Sequence, residues 1–218
     1  MQQKSSMRWV ILFILVFGTA MLNFSNLIFA SRPTDVMEQF NMTQTQLTAI
    51  STVGQLPGAF FSVWLGHMID KKGVRMLPGI LLALAAACQI WRCFAADYVS
   101  LFIITFLAGA FFLPTQILQG KLLGVWFSRE EMGTAMGIYG AGAGLGTTLA
   151  FAFGGLFPTI GIAFMVIAAG YVIEAALWFL FIKMPAGLAG GPVSEAPKGN
   201  LKNVFKSKNM WLLMICGG

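Results

Sequence analysis

Few side chains within the apolar stretches of this chain can do chemistry: Thr19, Asn23 and Asn26 in one run, Gln116, Gln119 and Lys121 in another, Glu174 in a third. At 100° per residue Thr19, Asn23 and Asn26 fall within about 100° of one another and make one polar stripe. Such a stripe either lines a watered cavity and hydrogen-bonds a polar solute, or bonds across helices and only holds a bundle together. Gln116 and Gln119 share a face, but Lys121 stands about 140° from Gln116, so all three cannot point squarely into one cavity. Lys121 either favours an anion or, roughly 9 Å along the helix from residue 127, snorkels toward headgroups. Glu174 is the only acidic residue deep in an apolar run. Burial disfavours its charged form, so it must be protonated, watered or paired. It offers a proton-coupling site, a partner for Lys121, or a neutral acid bonded to a neighbouring helix.

The elements that must position these groups are long apolar runs. The chain has 218 residues, 57% hydrophobic and 10% charged, with a mean hydropathy of +0.78, a composition foreign to a soluble domain and suited to the lipid bilayer. Runs at 9–29, 47–66, 76–91, 101–127, 132–157 and 160–182 predict six membrane-crossing helices, and 210–218 begins a seventh. The first run exceeds the apolar stretch of a signal peptide and reads as a span. The fold class is therefore an all-α membrane bundle: residues 1–183 form the six-helix unit, 184–209 a Pro/Gly/Ser/Lys-rich linker, and 210–218 the start of another helix.

The net charge of +6 does not imply nucleic acid, because the basic residues are scattered through short loops without interleaved aromatics. Lys4, Arg8, Lys71, Lys72, Arg75, Arg129, Lys183, Lys198, Lys202, Lys206 and Lys208 fall on the side of the N-terminus, with only Arg32 and Arg92 opposite. The positive-inside rule then makes the N-terminus cytoplasmic. Cys88, Cys93 and Cys216 form no CxxC pair and read as packing residues. His67, the only histidine, reads as an interface residue. With no Ser/His/Asp set, no paired membrane carboxylates, no metal-spaced ligands and no cofactor motif, an enzyme is not expected.

Between the second and third runs lies the charged island Gly66-His67-Met68-Ile69-Asp70-Lys71-Lys72-Gly73-Val74-Arg75. Gly73 can take positive φ in a tight reversal, and Asp70 can cap the following helix or pair with Arg75. The spacing Gly-x-x-x-Asp-Lys-x-Gly-x-Arg resembles the loop between helices two and three of the major facilitator superfamily, with Val74 where a basic residue is usual. The resemblance implies that Gly66, Asp70, Lys71, Gly73 and Arg75 form a gating latch against the other half of a twelve-helix transporter. It also implies a repeat of three helices plus three inverted helices, a solute held near the midplane, and a C-terminal half as partner.

The stretch Trp126-Phe127-Ser128-Arg129-Glu130-Glu131-Met132-Gly133-Thr134-Ala135-Met136-Gly137 resembles a Trp-Phe-Pro-x-x-Glu-Arg-Gly-x-Ala-x-Gly segment of organic-anion and nitrate/nitrite branches, with Ser128 and Met132 replacing its proline and arginine. The arginine usual early in the fourth helix of the family is Thr105, before Gly109. Downstream, Gly137, Gly140 and Gly144 share one helical face and Gly142 with Gly146 another, both suited to close helix packing. A phosphate-cradling loop is excluded by context.

The expectation is a secondary transporter of a small organic anion, a symporter or antiporter working by alternating access, with Asn23, Asn26, Gln116, Gln119 and Lys121 toward the solute. The alternatives are a non-transporting scaffold half-bundle and an exporter of drugs or amphipaths. The fifth run lacks the Gly-Pro pair that resembled exporters carry.

Overall fold

The computed structural model describes residues 6–72 and 74–182, without the side chains of Val63, Asp70, Lys71 and Lys72. Every element in this range is helical: α1 (Met7–Ser31), α2 (Pro33–Phe40), α3 (Gln44–Val53), α4 (Leu56–Lys72), α5 (Met76–Arg92), α6 (Tyr98–Trp126), α7 (Met132–Gly154) and α8 (Ile160–Phe181). The linker expected over 184–209 and the helix start over 210–218 lie outside the described residues.

Helices α1, α6, α7 and α8 are long and apolar enough to cross a bilayer, and α5 is a shorter apolar helix. The second expected span differs. Instead of one helix over 47–66, α3 and α4 meet at a break after Val53. Pro57 has no N–H to offer the Val53 carbonyl and its ring clashes there, so the ladder cannot run through. Turn bonds from Gln55 N to Thr52 O and from Gly58 N to Gln55 O carry the chain across instead. The helix α2 was also not expected. It starts at Pro33, buries Val36 and Phe40 one turn apart, and ends at Asn41 in the left-handed conformation, φ 48°. Helix α3 begins with a reciprocal capping box between Thr43 and Gln46.

In lipid, apolar side chains gain little by leaving acyl chains for one another, so close backbone approach must hold the helices together. Phe60, Trp64, Phe94, Leu156, Met165 and Leu180 accordingly stay exposed on the outside. Along α1 and α7 the approach is through glycine: Gly142 meets Val16 and Gly146 meets Ala20, both pairs separated by the same 126 positions, and Gly154 meets Ser31 with Ile28 beside it. A constant offset means two parallel helices in register. The α4–α6 seam repeats the device, with Gly109 against the Gly54 carbonyl at the break.

The main contacts pair α1 with α7, α4 with α6, and α5 with both α6 and α8, and α1 with α8. Counting α3 and α4 as one broken span, exchanging the first three spans with the last three maps this pattern onto itself. The first-with-fifth contact becomes second-with-fourth, third-with-sixth is unchanged, and third-with-fourth becomes first-with-sixth. Such a pattern is what a three-plus-three repeat produces.

Candidate functional site

On α1, Thr19 is buried and Asn23 and Asn26 are half-buried. The Asn23 amide donates to the Thr19 carbonyl at 2.9 Å, which fixes the side chain along its own helix and leaves its amide oxygen to accept. The Tyr139 phenol of α7 stands next to the Thr19 hydroxyl. The Asn26 oxygen sits against the break in the second span, 3.6 Å from where a methyl on Gly54 would stand. Thr105 flanks the same glycine, its hydroxyl donating to Leu101 O at 2.7 Å. The glycine break thus brings α1 and α6 together around Asn26 and Thr105.

On α6, Gln116 is exposed while Gln119 and Lys121 are half-buried. The Thr115 hydroxyl and the Gln119 carbonyl oxygen are buried without a hydrogen-bond partner. The helices α1 and α6 run antiparallel: Trp9 packs edge-on to Phe127, ring centroids 5.6 Å apart, at one end, while Asn26 lies level with Thr105 at the other. Lys121 follows Thr105 by sixteen residues, roughly 24 Å along the axis. The five residues expected to share one solute therefore divide into two groups. Asn23 and Asn26 sit beyond mid-helix, and Gln116, Gln119 and Lys121 approach the Trp9–Phe127 end.

Of the charged island, Gly66 packs near Ile117 of α6, and Arg75 donates to Phe179 O in the last turn of α8 at 2.7 Å. A cation there satisfies a carbonyl that the helix end leaves open. The side chains of Asp70 and Lys71, and Gly73, lie outside the described residues, and so do both expected roles of Asp70.

The segment before α7 is tied down by Glu131. Its carboxylate accepts from Arg8 at 2.9 and 3.1 Å and from the Ser128 hydroxyl at 3.2 Å, while its own amide donates back to Ser128 Oγ at 3.3 Å. Desolvation pulls the Glu131 carboxyl upward, but Ser128 and then Arg8 prevail and hold it below the usual carboxylate range. Ser128 thus caps where the resembled segment has proline.

Helix packing within the bundle falls to Gly142 and Gly146. A methyl at Gly137, Gly140 or Gly144 would meet nothing within 4 Å, so that face of α7 is uncovered among the described residues.

Two buried groups change the sequence reading. Arg92, expected as a loop charge, is 1% exposed. Its Nη1 donates to Ser25 Oγ at 2.8 Å and Gln89 Oε1 at 3.0 Å, and its Nη2 to Ser25 O at 3.2 Å. Gln89 in turn donates to Ser25 Oγ at 3.1 Å. The guanidinium lies 4.4 and 4.3 Å from the ring centroids of Phe29 and Phe164, which meet each other edge to face, so aromatic rings stand in for a counter-ion. The available signal was Gln89 and Arg92 three residues apart on one face of α5. Glu174 is 0% exposed with neither carboxyl oxygen hydrogen-bonded. It is therefore paired neither with Lys121 nor with a donor on a neighbouring helix.

Comparison with known proteins places this arrangement. A probable L-galactonate transporter of Escherichia coli (strain K12) is 20% identical, the match covering 93% of this chain and 49% of that protein. A hexuronate transporter of Bacillus subtilis (strain 168) is 25% identical over 68% of this chain and 36% of its own length. A probable nitrate/nitrite antiporter of Thermus thermophilus is 26% identical over 53% and 26%. Among solved structures, a bacterial homolog of the human lysosomal transporter Spinster, inward-facing and unoccupied, superposes with a TM-score of 0.79 at 13% identity, covering 98% of this chain and 52% of that one. The chain thus spans about half the length, or less, of the relatives it matches. The family model for the Major Facilitator Superfamily matches residues 10–218, and the chain, an all-helical multi-pass membrane protein, belongs to that superfamily.

Proposed function

We propose that the chain is the N-terminal half of a secondary transporter that moves a small organic anion across the cell's inner membrane by alternating access. The observation that carries the anion is Lys121: it is a half-buried cation within a spanning helix, whereas Arg92, at the end of α5, is sealed inside protein. A cation in that position is functional by default, because desolvating it is costly. The relatives named above for galactonate, hexuronate and nitrate/nitrite all carry anion names, which supports the same class. Their being transporters also favours transport over catalysis.

In this reading Asn23, Asn26, Gln116 and Gln119 contact the solute at successive depths rather than together, as separate stations along a path. The uncovered face of α7 at Gly137, Gly140 and Gly144 meets the C-terminal half. Asp70 and its island latch the two halves, with Arg75 holding the island to the end of α8. The distribution of Lys and Arg puts the N-terminus in the cytoplasm.

The test is uptake into proteoliposomes by the full-length polypeptide, with labelled L-galactonate, a hexuronate and nitrate beside a neutral sugar alcohol. Uptake of an organic acid that Lys121→Gln removes supports the proposal. Uptake of the neutral solute alone, unchanged by Lys121→Gln, overturns the anion reading and returns Lys121 to snorkelling. No uptake of any solute, with α7 cross-linking to another membrane protein, favours the scaffold.

A further inference from the structure

Arg92 carries a full positive charge into the bundle. The residue is 1% exposed, and a guanidinium keeps its proton in proteins. Its contacts among the described residues are all neutral: Ser25 Oγ at 2.8 Å, Gln89 Oε1 at 3.0 Å, Ser25 O at 3.2 Å and the rings of Phe29 and Phe164. A buried cation without an acid is costly, and a joint between helices does not require one, since well-packed apolar groups often serve as well or better. The charge therefore calls for a use besides holding α5 to α1.

Its position supplies one. The Ser25 carbonyl that accepts from Nη2 belongs to the peptide joining Ser25 to Asn26. Ser25 is buried, while Asn26, 100° further around α1, is half-buried with its amide oxygen toward the break at Gly54 and toward Thr105 of α6. One residue thus faces the sealed charge, and the next faces the proposed solute path. A charge held dry behind such a wall is felt further than one in water, because little dielectric screens it. The neighbouring charges stand further off or are matched. Glu174 packs against Gly18, eight residues and roughly 12 Å along α1 from Asn26, and Arg32 is ion-paired with Asp35.

We propose that Arg92 sets the charge preference of the solute path at Asn26: without touching the solute, it supplies a positive potential that admits an anion and repels a cation. The bundle then offers an anion two cations, Lys121 toward the Trp9–Phe127 end and Arg92 behind Asn26. Because Arg92 acts through space, it is a specificity residue and not a binding one. The inference deepens the transport reading above and rests on it, since Asn26 is a station of the path only in that reading.

The test reads the potential itself. In the full-length polypeptide, freed of its own cysteines, Asn26→Cys is reacted with a negatively and a positively charged methanethiosulfonate of similar size, and the ratio of the two rates is compared with and without the Arg92 charge. Arg92→Gln is expected to lower the anion-to-cation ratio roughly tenfold or more, the order that a unit charge about 8 Å away exerts on two opposite charges at protein-like screening. Arg92→Lys, which keeps the charge and loses the fork, is expected to keep the ratio. Gln89→Glu sets a carboxylate at the atom that already accepts from Arg92, 3.0 Å away. It is expected to lower the ratio as Arg92→Gln does, so it decides the matter should Arg92→Gln not fold. The control is Gln116→Cys, eleven residues and roughly 16 Å along α6 from Thr105, where the ratio should not change. No reaction at Asn26→Cys with either reagent, an unchanged ratio there in Gln89→Glu, an equal fall at Gln116→Cys, or a fall in Arg92→Lys as large as in Arg92→Gln overturns the proposal. In proteoliposomes Gln89→Glu should raise the KM for L-galactonate roughly tenfold and leave kcat little changed, and an unchanged KM overturns the specificity role. If the wild type does not carry L-galactonate, the transport reading fails on that probe, while the thiol rates still decide whether Arg92 charges the path.

Discussion

Arg92 gives both ends of its guanidinium to Ser25, one to the hydroxyl at 2.8 Å and the other to the backbone carbonyl at 3.2 Å. A cation of α5 is thereby fixed to α1, and the edge-to-face rings of Phe29 and Phe164 add α8 to the joint. Ser25→Ala removes an acceptor shared by Arg92 and Gln89. It should cost about 1–3 kcal/mol, the penalty for leaving buried donors unmade, read as a lowered midpoint of thermal unfolding in detergent. Arg92→Lys should not restore what Arg92→Ala loses, because a single ammonium cannot reproduce the planar fork that reaches both the hydroxyl and the carbonyl of Ser25. Equal stability of Arg92→Lys and the wild type would contradict the fork as the source of the joint's strength.

The glycine seams make a sharper comparison. Gly109→Ala forces a methyl onto the Gly54 carbonyl, backbone against backbone, and should cost about 1–3 kcal/mol as an overpacked contact. Gly133→Ala meets nothing within 4 Å and should be neutral or stabilising by up to about 1 kcal/mol, the helix preference of alanine over glycine. Thermal unfolding of the two variants side by side checks the difference in sign.

Gly144→Leu separates packing inside the bundle from packing against the C-terminal half proposed above. Its position is open among the described residues, so the bundle's own unfolding midpoint should hold. Transport turnover by the full-length protein should fall, with solute binding little changed. Normal turnover in Gly144→Leu would mean that this face is not an interface in the transport cycle.

Water access distinguishes a solute path from a sealed joint. In an otherwise cysteine-free background, Asn23→Cys should react with a membrane-impermeant thiol reagent, and Ser25→Cys, which replaces a buried residue, should not. Protection of both positions from both sides of the membrane would favour the scaffold.

The tie between Arg8 and Glu131 carries a pH signature. The folded-state carboxyl of Glu131 lies below its ordinary value of 4.5. Its contribution to stability is therefore complete above that value and is lost as pH falls through the depressed folded value. Acid melts of the wild type should lose stability in that window more steeply than melts of Glu131→Gln, whose curve should already be lower at neutral pH. Identical slopes would mean that solvent screens the pair to insignificance.

Much of the architecture was readable because lipid imposes a length: six apolar runs of about twenty residues leave little choice of element or order. The break in the second span was present in the sequence as Pro57 after Gly54, but a hydropathy reading weighs those residues as nearly neutral and runs through them. The capping box at Thr43 and Gln46 marked a helix start that the apolar pattern placed a few residues later. For the glycines, period alone offered two faces of α7, and only the neighbour decides which is used. Arg92 and Glu174 were least legible. A charge at the end of an apolar run looks like a loop residue until Ser25, Gln89, Phe29 and Phe164, from three helices, are seen to close around it. The depth mismatch between Asn26 and Lys121 likewise needs two helices laid side by side, which a helical wheel drawn for one cannot supply.

The in-register seam between α1 and α7 bears on how the chain is made. Helix α1 finds its glycine partners on α7 126 positions later, after the three spans between them have been synthesised. Until then its stripe of Thr19, Asn23 and Asn26 has no Tyr139 beside it, and Ser25 waits for Gln89 and Arg92 at the end of the third span. A nascent chain of three spans thus holds Ser25, Gln89 and Arg92 but still lacks Tyr139 beside Thr19, so the remaining amides of the stripe depend on the insertion machinery to shield them. The α1–α7 seam can form only once α7 has been made, so truncations that stop before residue 142 should be degraded rather than accumulate as a smaller stable bundle.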